Sequence, residues 1–357
     1  MTIQRIHHIE FFTGNARQAA YFYQRALGFS LTAYTGPETG SPDQASYVLS
    51  QGKICFVFTT PLSPQDPRHL FLTLHGDGVK DICFETTDVD ATFNQCIDKG
   101  AVPIQTPDIL ADDHGSIRRA SIKAYGDVIH TFVATQDYDG PFLPGFQGQN
   151  IPDSGVGFTR IDHVVANVQD RQMDRWCDFY HDVFGFHQFV SYDDKDISTE
   201  FTALRATVMA NGDKNIKFPI NEPAQGRRKS QIQEYIDFNY SAGVQHIALY
   251  THDIIATVAQ LRDRGVEFLS IPPTYYESIW DRVGDIKEDK KAIAEYGILA
   301  DRDENGYLLQ IFTRPVQDRP TLFLEVIHRE GCESFGKGNF KALFQAIELE
   351  QKKRGNL

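Results

Sequence analysis

Three side chains in the second half of the chain are of the types that hold a catalytic metal: His163, His246 and Glu325. Each lies within an apolar run that reads as a β-strand, where an ionisable group is costly unless it is paired or coordinated. Over residues 161–168, strand alternation sets Ile161, His163, Val165 and Asn167 on one face. Over residues 321–327, Glu325 shares its face with Phe323 and Ile327, where a carboxylate would be a liability in a plain core. Two histidines and one carboxylate make the facial triad that holds non-haem Fe(II) and leaves positions open for substrate and O₂. A blander reading competes with this one. A lone strand histidine is more often a hydrogen-bonded core residue than a ligand, and separations of 83 and 79 residues form no local motif.

What must position these residues is a repeat. The segment Ile6-His7-His8-Ile9-Glu10 matches Ile161-Asp162-His163-Val164-Val165 at an offset of 155 residues. Each is followed by a polar turn and an aromatic-rich helical stretch ending in Gly-Phe, at Gly28-Phe29 and at Gly185-Phe186. Gly78-Val79-Lys80-Asp81-Ile82 matches Gly243-Val244-Gln245-His246-Ile247 at an offset of 165, and the match runs on through Asp88 and Asp253 to Gly100 and Gly265. Preserved order with a slowly growing offset marks a duplicated domain with loop insertions. Each half subdivides into two βαβββ-like modules, in which an alternating strand leads to an amphipathic helix stopped by glycine and then to further strands. In the second half, helices are expected over residues 173–184 and 255–264, and strands over 201–209 and 215–221. Residues 141–155, rich in Pro and Gly, read as a linker between domains at 1–140 and 156–357. Near the end, Phe340, Leu343, Phe344 and Ile347 form one apolar helical stripe, with Asn339 in place to cap it.

The repeat is asymmetric where chemistry would be. His8 stands opposite His163, but Asp81 stands opposite His246. The stretch read as the counterpart of the Glu325 strand, Tyr138-Asp139-Gly140-Pro141-Phe142, has no glutamate. Were these residues present for folding alone, both halves would keep them. The asymmetry points to one working site and one scaffold half without metal, with His8 a structural relic.

Composition narrows the class. The 357 residues suit two domains, and 41% hydrophobic with 23% charged residues describes a globular chain rather than a disordered one. A net charge of −13 argues against sequence-independent nucleic-acid binding. The longest apolar runs, such as residues 54–58, are far too short to span a bilayer, and no signal pattern precedes Ile3. Cys55, Cys83, Cys96, Cys177 and Cys332 show no CxxC pairing, which suits reduced thiols in a cytoplasmic protein. The expectation is an acidic enzyme of a small molecule, with neither nucleic acid nor membrane as partner.

These residues carry a resemblance to the 4-hydroxyphenylpyruvate dioxygenase family of the vicinal oxygen chelate superfamily. The matching runs are Ile161-Asp162-His163, Pro219-Ile220-Asn221-Glu222-Pro223, Gly243-Val244-Gln245-His246-Ile247-Ala248 and Pro272-Pro273-Thr274-Tyr275-Tyr276. They continue with Leu309-Gln310-Ile311-Phe312-Thr313, Phe323-Leu324-Glu325 and Phe335-Gly336-Lys337-Gly338-Asn339-Phe340. The likeness is close over residues 155–350 and looser before. It implies an α+β fold of two tandem vicinal-oxygen-chelate domains, each an open barrel of paired βαβββ modules, plus a C-terminal gating helix. It also implies an Fe(II) enzyme of tyrosine and phenylalanine catabolism that turns 4-hydroxyphenylpyruvate and O₂ into homogentisate and CO₂. No nicotinamide or external 2-oxoglutarate would be needed.

By the same resemblance, His163, His246 and Glu325 hold the iron, and the substrate's α-keto acid chelates it. Gln245, Gln310, Gln231 and Asn221 resemble the family's polar residues around the keto acid and phenol, and Phe312 and Phe340 the aromatic pair that holds the ring. Val165, Pro219, Leu299, Phe323, Asn339 and Phe344 resemble the remaining pocket wall. An amide both donates and accepts, so it orients a neutral phenol without adding charge. Gln310 and Phe312 fall on one strand face. Glutamines on apolar strand faces are hard to explain as packing, whereas each phenylalanine reads equally well as core. The C-terminal stripe would dock as a helix that closes the pocket against water. One departure stands out: Ala206 occupies a position where many members carry a serine that bonds into the glutamine network. Two alternatives share the scaffold. One is 4-hydroxymandelate synthase, whose branch replaces the residues matching Asn221 and Phe340; the other is a metal-free binding protein. Association into a homo-oligomer, dimer or tetramer, is the family's habit.

Overall fold

The computed structural model describes residues 3–193 and 198–356. The first half runs β1 (Ile3–Phe12), α1 (Ala16–Arg25), β2 (Ser30–Thr35), β3 (Gln44–Gln51), β4 (Ile54–Pro61), α2 (Arg68–His75), β5 (Gly78–Thr86), α3 (Val89–Asp98), β6 (Pro103–Asp112), β7 (Gly115–Lys123), β8 (Ile129–Ala134) and β9 (Gln147–Ile151). The second begins β10 (Phe158–Asn167), α4 (Met173–Phe184), β11 (His187–Tyr192), β12 (Ala203–Ala210), β13 (Lys217–Ala224), α5 (Gln231–Asn239), β14 (Gly243–Thr251) and α6 (Ile254–Asp263). It ends α7 (Tyr275–Val283), α8 (Lys290–Glu295), β15 (Leu299–Asp303), β16 (Gly306–Phe312), β17 (Phe323–Glu330) and α9 (Phe340–Lys353). Helix α4 stops where expected, with Gly185 left-handed at φ 70°. Helix α6 starts one residue early, because Asp253 caps it by accepting from Ala256 N.

Two curled sheets hold these strands, in the orders β6-β7-β8-β5-β1-β4-β3-β2-β9 and β11-β12-β13-β10-β14-β17-β16-β15. Apart from β9, one order is the other read backwards, so the duplication seen in sequence is a duplication of topology. In each sheet the strand bearing the first histidine is central: β1 lies between β4 and β5, and β10 between β13 and β14.

Register corrects two expectations. The counterpart of β17 is β8, not residues 138–142. Strand β8 runs parallel to β5 with Asp81 opposite Ile129, as β17 runs parallel to β14 with His246 opposite Phe323. Thr131 therefore holds the place of Glu325. Helices α7 and α8 lengthen the second half before this strand and have no counterpart in the first, so distance along the chain does not carry the alignment across. The stretch 141–155 is also not free linker. Gln147–Ile151 form β9, which pairs antiparallel with β2 and covers the edge that strand would otherwise expose.

One face of each sheet builds a core continuous between the halves. Val164, Ala166, Ile247, Leu249, Leu324 and Val326 join Ile9, Phe11, Phe56 and Phe84 there. Phe84 lies with its ring centre 5.6 Å from Phe184 and 6.1 Å from Phe218. At the junction, Gln51 Oε1 accepts from Val156 N at 2.9 Å and Phe158 N at 3.1 Å, which sets where the second half begins to pair. The opposite face of each sheet is left for another use. Among the described residues no helix is long and apolar enough to cross a membrane.

Candidate metal centre and its cavity

Two β-bulges set the geometry. Along β10 and β14 the pairing shifts between Ile161 and His163, and again between Val165 and Ala166. Asp162 is the extra residue at the first shift and Gln245 at the second. A bulge re-aims side chains, so that two consecutive residues share a direction that a regular strand would deny them. Each bulged residue meets its neighbouring histidine: His163 Nδ1 lies 2.8 Å from Asp162 Oδ1, and His246 Nδ1 lies 2.9 Å from Gln245 Oε1. With each Nδ1–H donating to an oxygen, the free lone pair sits on Nε2. Those two Nε2 atoms approach Glu325 Oε2 at 3.1 Å and 3.2 Å, with all three residues buried. Donors about 2.1 Å from one cation lie about 3.0–3.4 Å apart in octahedral or tetrahedral geometry. The spacing and the donor set fit a shared divalent transition metal.

The charges agree with this use. Burial pushes the Glu325 carboxyl up, but the two imidazoles overcome it and bring its pKa down to about 2. Burial pulls His163 down, yet Glu325 and Asp162 more than offset it and leave its pKa above the ordinary histidine value. His246, with a neutral amide at Nδ1 in place of a carboxylate, stays lowered by burial despite Glu325. A metal held here would need the His163 imidazole neutral, with its Nε2 lone pair free. Asp162 is held in turn by Arg329, whose Nε and Nη2 donate to its two oxygens at 3.0 Å and 2.9 Å.

The donors open onto a cavity between the second sheet and α9. Its polar wall is Gln245, Gln310, Gln231 and Asn221; its apolar wall includes Val165, Pro219, Phe312, Phe323, Phe340 and Phe344. On β16, Gln310 and Phe312 face the cavity while Leu309 and Ile311 enter the core, as alternation requires. Phe323 also stacks on the His246 ring at 4.8 Å. Gln231 leaves its Oε1 buried without a partner among the described residues, an acceptor that a bound molecule would satisfy. All four residues of the α9 stripe line the cavity, so the helix lies closed over it. Polar contacts clasp it there: Glu348 accepts from Thr202 Oγ1 at 2.6 Å, and Arg354 pairs with Glu234 through bonds of 2.7 Å and 3.0 Å.

Comparison with known proteins points the same way. The sequence matches the model of the Glyoxalase/Bleomycin resistance protein/Dioxygenase superfamily over residues 5–122 and 160–311. It is 47% identical to the 4-hydroxyphenylpyruvate dioxygenase of Neurospora crassa over 98% of this chain and 92% of that protein. Identity to the Caenorhabditis elegans enzyme of the same name is 48%, over 98% and 92%. The chain belongs to the 4-hydroxyphenylpyruvate dioxygenase family. A solved triple mutant of 4-hydroxymandelate synthase from Streptomyces coelicolor superposes with a TM-score of 0.88 over 98% of this chain and 100% of that one, at 32% identity. The Mn(II)-bound glyoxalase of Novosphingobium aromaticivorans, at 11% identity and a TM-score of 0.51 over 92% of this chain and 82% of that one, shares the fold alone.

Within this family frame, two residues expected in the wall are elsewhere. Leu299 is fully buried behind it, packed with Phe312, Phe323 and Ala342. Asn339 is also fully buried and does not cap α9; its Oδ1 accepts from Tyr275 OH at 2.6 Å. Ile161 departs from the face assigned to it, because the bulge at Asp162 turns it toward the core between the halves, and Asn167 stands behind Asn221 at 3.4 Å. The cavity has further lining not assigned to it from the sequence: Tyr192, Leu204, Val208 and Phe335, together with Ile327. Ile327 was legible from alternation with Glu325. Tyr192 arrives through a cross-strand row, Tyr192 opposite Ala206 opposite Asn221, that leaves no local pattern. A second histidine-rich group, His7, His8 and Cys83, lies in the first half. There the two Nδ1 atoms bond each other at 2.7 Å under Phe142, which makes a packed imidazole pair.

Proposed function

We propose that the chain uses Fe(II), held by His163, His246 and Glu325, to convert 4-hydroxyphenylpyruvate and O₂ to homogentisate and CO₂. The observation that carries this reading is the convergence of two imidazole Nε2 atoms on one carboxylate oxygen, at 3.1 Å and 3.2 Å, in the floor of a cavity walled by amides and phenylalanines. Bound there, ferrous iron would supply a chelation point for the α-keto acid and activate O₂.

The chain's own residues do the positioning. Asp162 and Gln245 hold the tautomers that turn both Nε2 atoms toward Glu325. Phe312 from β16 and Phe340 from α9 bound the space for an aryl ring, which apolar contact orients. Gln310, Gln231 and Asn221 offer donors and acceptors to a phenol without adding charge. Helix α9 excludes water and so protects oxidising chemistry from side reactions. The wider reading takes residues 1–140 as a metal-free scaffold domain and residues 156–357 as the catalytic one. It further takes the chain as a cytoplasmic dimer or tetramer, in keeping with five free cysteines.

The test is an anaerobic incubation with Fe(II) and 4-hydroxyphenylpyruvate, followed by air. A weak visible charge-transfer band and then homogentisate are expected. The same chromatogram answers the rival reading, since 4-hydroxymandelate as product would place the chain in the benzylic-oxidising branch. That branch is represented at 32% identity, against 47–48% for the dioxygenases. A melting temperature indifferent to Fe(II) would favour a metal-free binding protein.

A further inference from the structure

The turn that carries α9 is tied to the metal side through Arg329. Arg329 lies on β17, on the same strand face as Glu325, and its side chain is 9% exposed. Its Nε and Nη2 grip Asp162, the carboxylate that orients His163. Its Nη1 donates to the carbonyls of Cys332, at 3.3 Å, and of Ser334. Its guanidinium lies 5.3 Å from the ring centre of Phe335, and that ring sits edge-on 5.0 Å from His163. Gly336 follows at φ 74°, so close to Gln310 that a Cβ would come within 3.0 Å of its amide. Four residues later α9 begins. A planar fork can hold a carboxylate through two nitrogens and still direct the third at backbone carbonyls; an ammonium cannot.

We infer that Arg329 is a positioning residue that couples the orientation of His163 to closure of α9, so that metal binding tightens the helix over the cavity. This rests on the metal-centre reading above. Metal held by His163 Nε2 pins that ring, and the pinned ring sets Asp162 on one side and Phe335 on the other. Both converge on Arg329, which fixes the turn at residues 331–336. The same turn has a second anchor that does not touch the metal side: Asp303 Oδ2 accepts from Glu333 N and Ser334 N, each at 2.9 Å. The two anchors can therefore be separated by experiment.

Amide hydrogen exchange of residues 332–353 in the full chain, with and without saturating Co²⁺ under anaerobic conditions, reads the coupling directly. In the native chain Co²⁺ is expected to slow exchange there severalfold, although none of those residues is a ligand. In Arg329→Lys this slowing is expected to fall to less than half, with Co²⁺ affinity, measured by chelator competition, weakened by about 10–100-fold. Asp303→Asn serves as the structural control: exchange is expected to rise with and without metal while the Co²⁺-dependent slowing persists. Should Arg329→Lys not fold, Asp162→Asn cuts the link from the histidine side and is expected to lose the slowing in the same way. Equal slowing in the native and cut chains, or none in a native chain that binds Co²⁺, overturns the coupling and leaves the proposed function standing. A native chain that does not bind Co²⁺ overturns both.

Discussion

Strands β1 and β10 carry the same pair of register shifts: β1 against β5 slips between Ile6 and His8 and between Glu10 and Phe11, where β10 slips beside His163 and beyond Val165. On this shared frame the side chains differ. His7 stands where Asp162 does, Asp81 where His246 does, and Thr131 where Glu325 does. In the first half the polar groups satisfy one another: Asp81 accepts from Thr131 N at 3.0 Å and from its hydroxyl, and Glu10 accepts from Thr59 at 2.6 Å. In the second half the converging donors have chiefly one another. The covers differ as well. Phe142 and Phe146 pack against Val48 and Val57 over the first sheet, whereas α9 bridges the second and leaves a cavity beneath it. Bulges and strand order belong to the fold; a site needs, in addition, uncommitted donors and a cover that leaves room.

The sharpest way to break this comparison is to remove corresponding residues. Glu325→Ala is expected to lower kcat/KM for 4-hydroxyphenylpyruvate at least about a hundredfold and to abolish Fe(II)-dependent thermal stabilisation, since losing a ligand costs more than losing its supporting group. Thr131→Ala, at the equivalent place, is expected to leave kcat/KM within about twofold, as befits a remote and uncoupled site. Similar losses in both variants would end the division into one working half and one scaffold half.

The next effect is on stability and pH. Burial pushes the Asp81 carboxyl up to about 7, against the Thr131 hydrogen bonds. Its folded pKa lies above its ordinary value of 3.8, so the folded state binds the extra proton and stability falls as pH rises from about 4 to about 7. Asp81→Asn keeps the hydrogen bonds without the charge. It is expected to stabilise the chain by on the order of 1–3 kcal/mol at pH 8 and by little at pH 4. Urea unfolding at the two pH values checks this; an equal difference at both would show that Asp81 is not a strained relic of the metal position.

Two smaller effects concern the cover and the wall. Phe340→Ala is expected to lower the share of consumed O₂ that yields homogentisate by about two- to fivefold, because water enters the cavity. Paired oxygen-electrode and product measurements test it, and unchanged coupling would remove Phe340 from the gate. Ala206→Ser adds a hydroxyl to the row between Tyr192 and Asn221. A hydrogen bond worth about 1 kcal/mol moves KM by no more than about fivefold. A steady-state KM shifted beyond tenfold would mean that the row controls substrate placement rather than tuning it.

From the sequence alone, His163, His246 and Glu325 stand out because a charged side chain in an apolar strand is an expense visible in one dimension. The duplication and the α9 stripe are legible for the same reason, being periodic along the chain. The tertiary structure alone decided which residues meet across it. Asp162 and Arg329 are 167 residues apart, and the bulges that aim His163 and His246 arise from pairing between strands rather than from a pattern within one. Thr131 could not be matched to Glu325 until register replaced counting. Leu299 and Phe312 are both apolar strand residues, yet only Phe312 faces the cavity. Alternation tells which side of a strand a residue takes, but the docking of α9 leaves space on only part of that side.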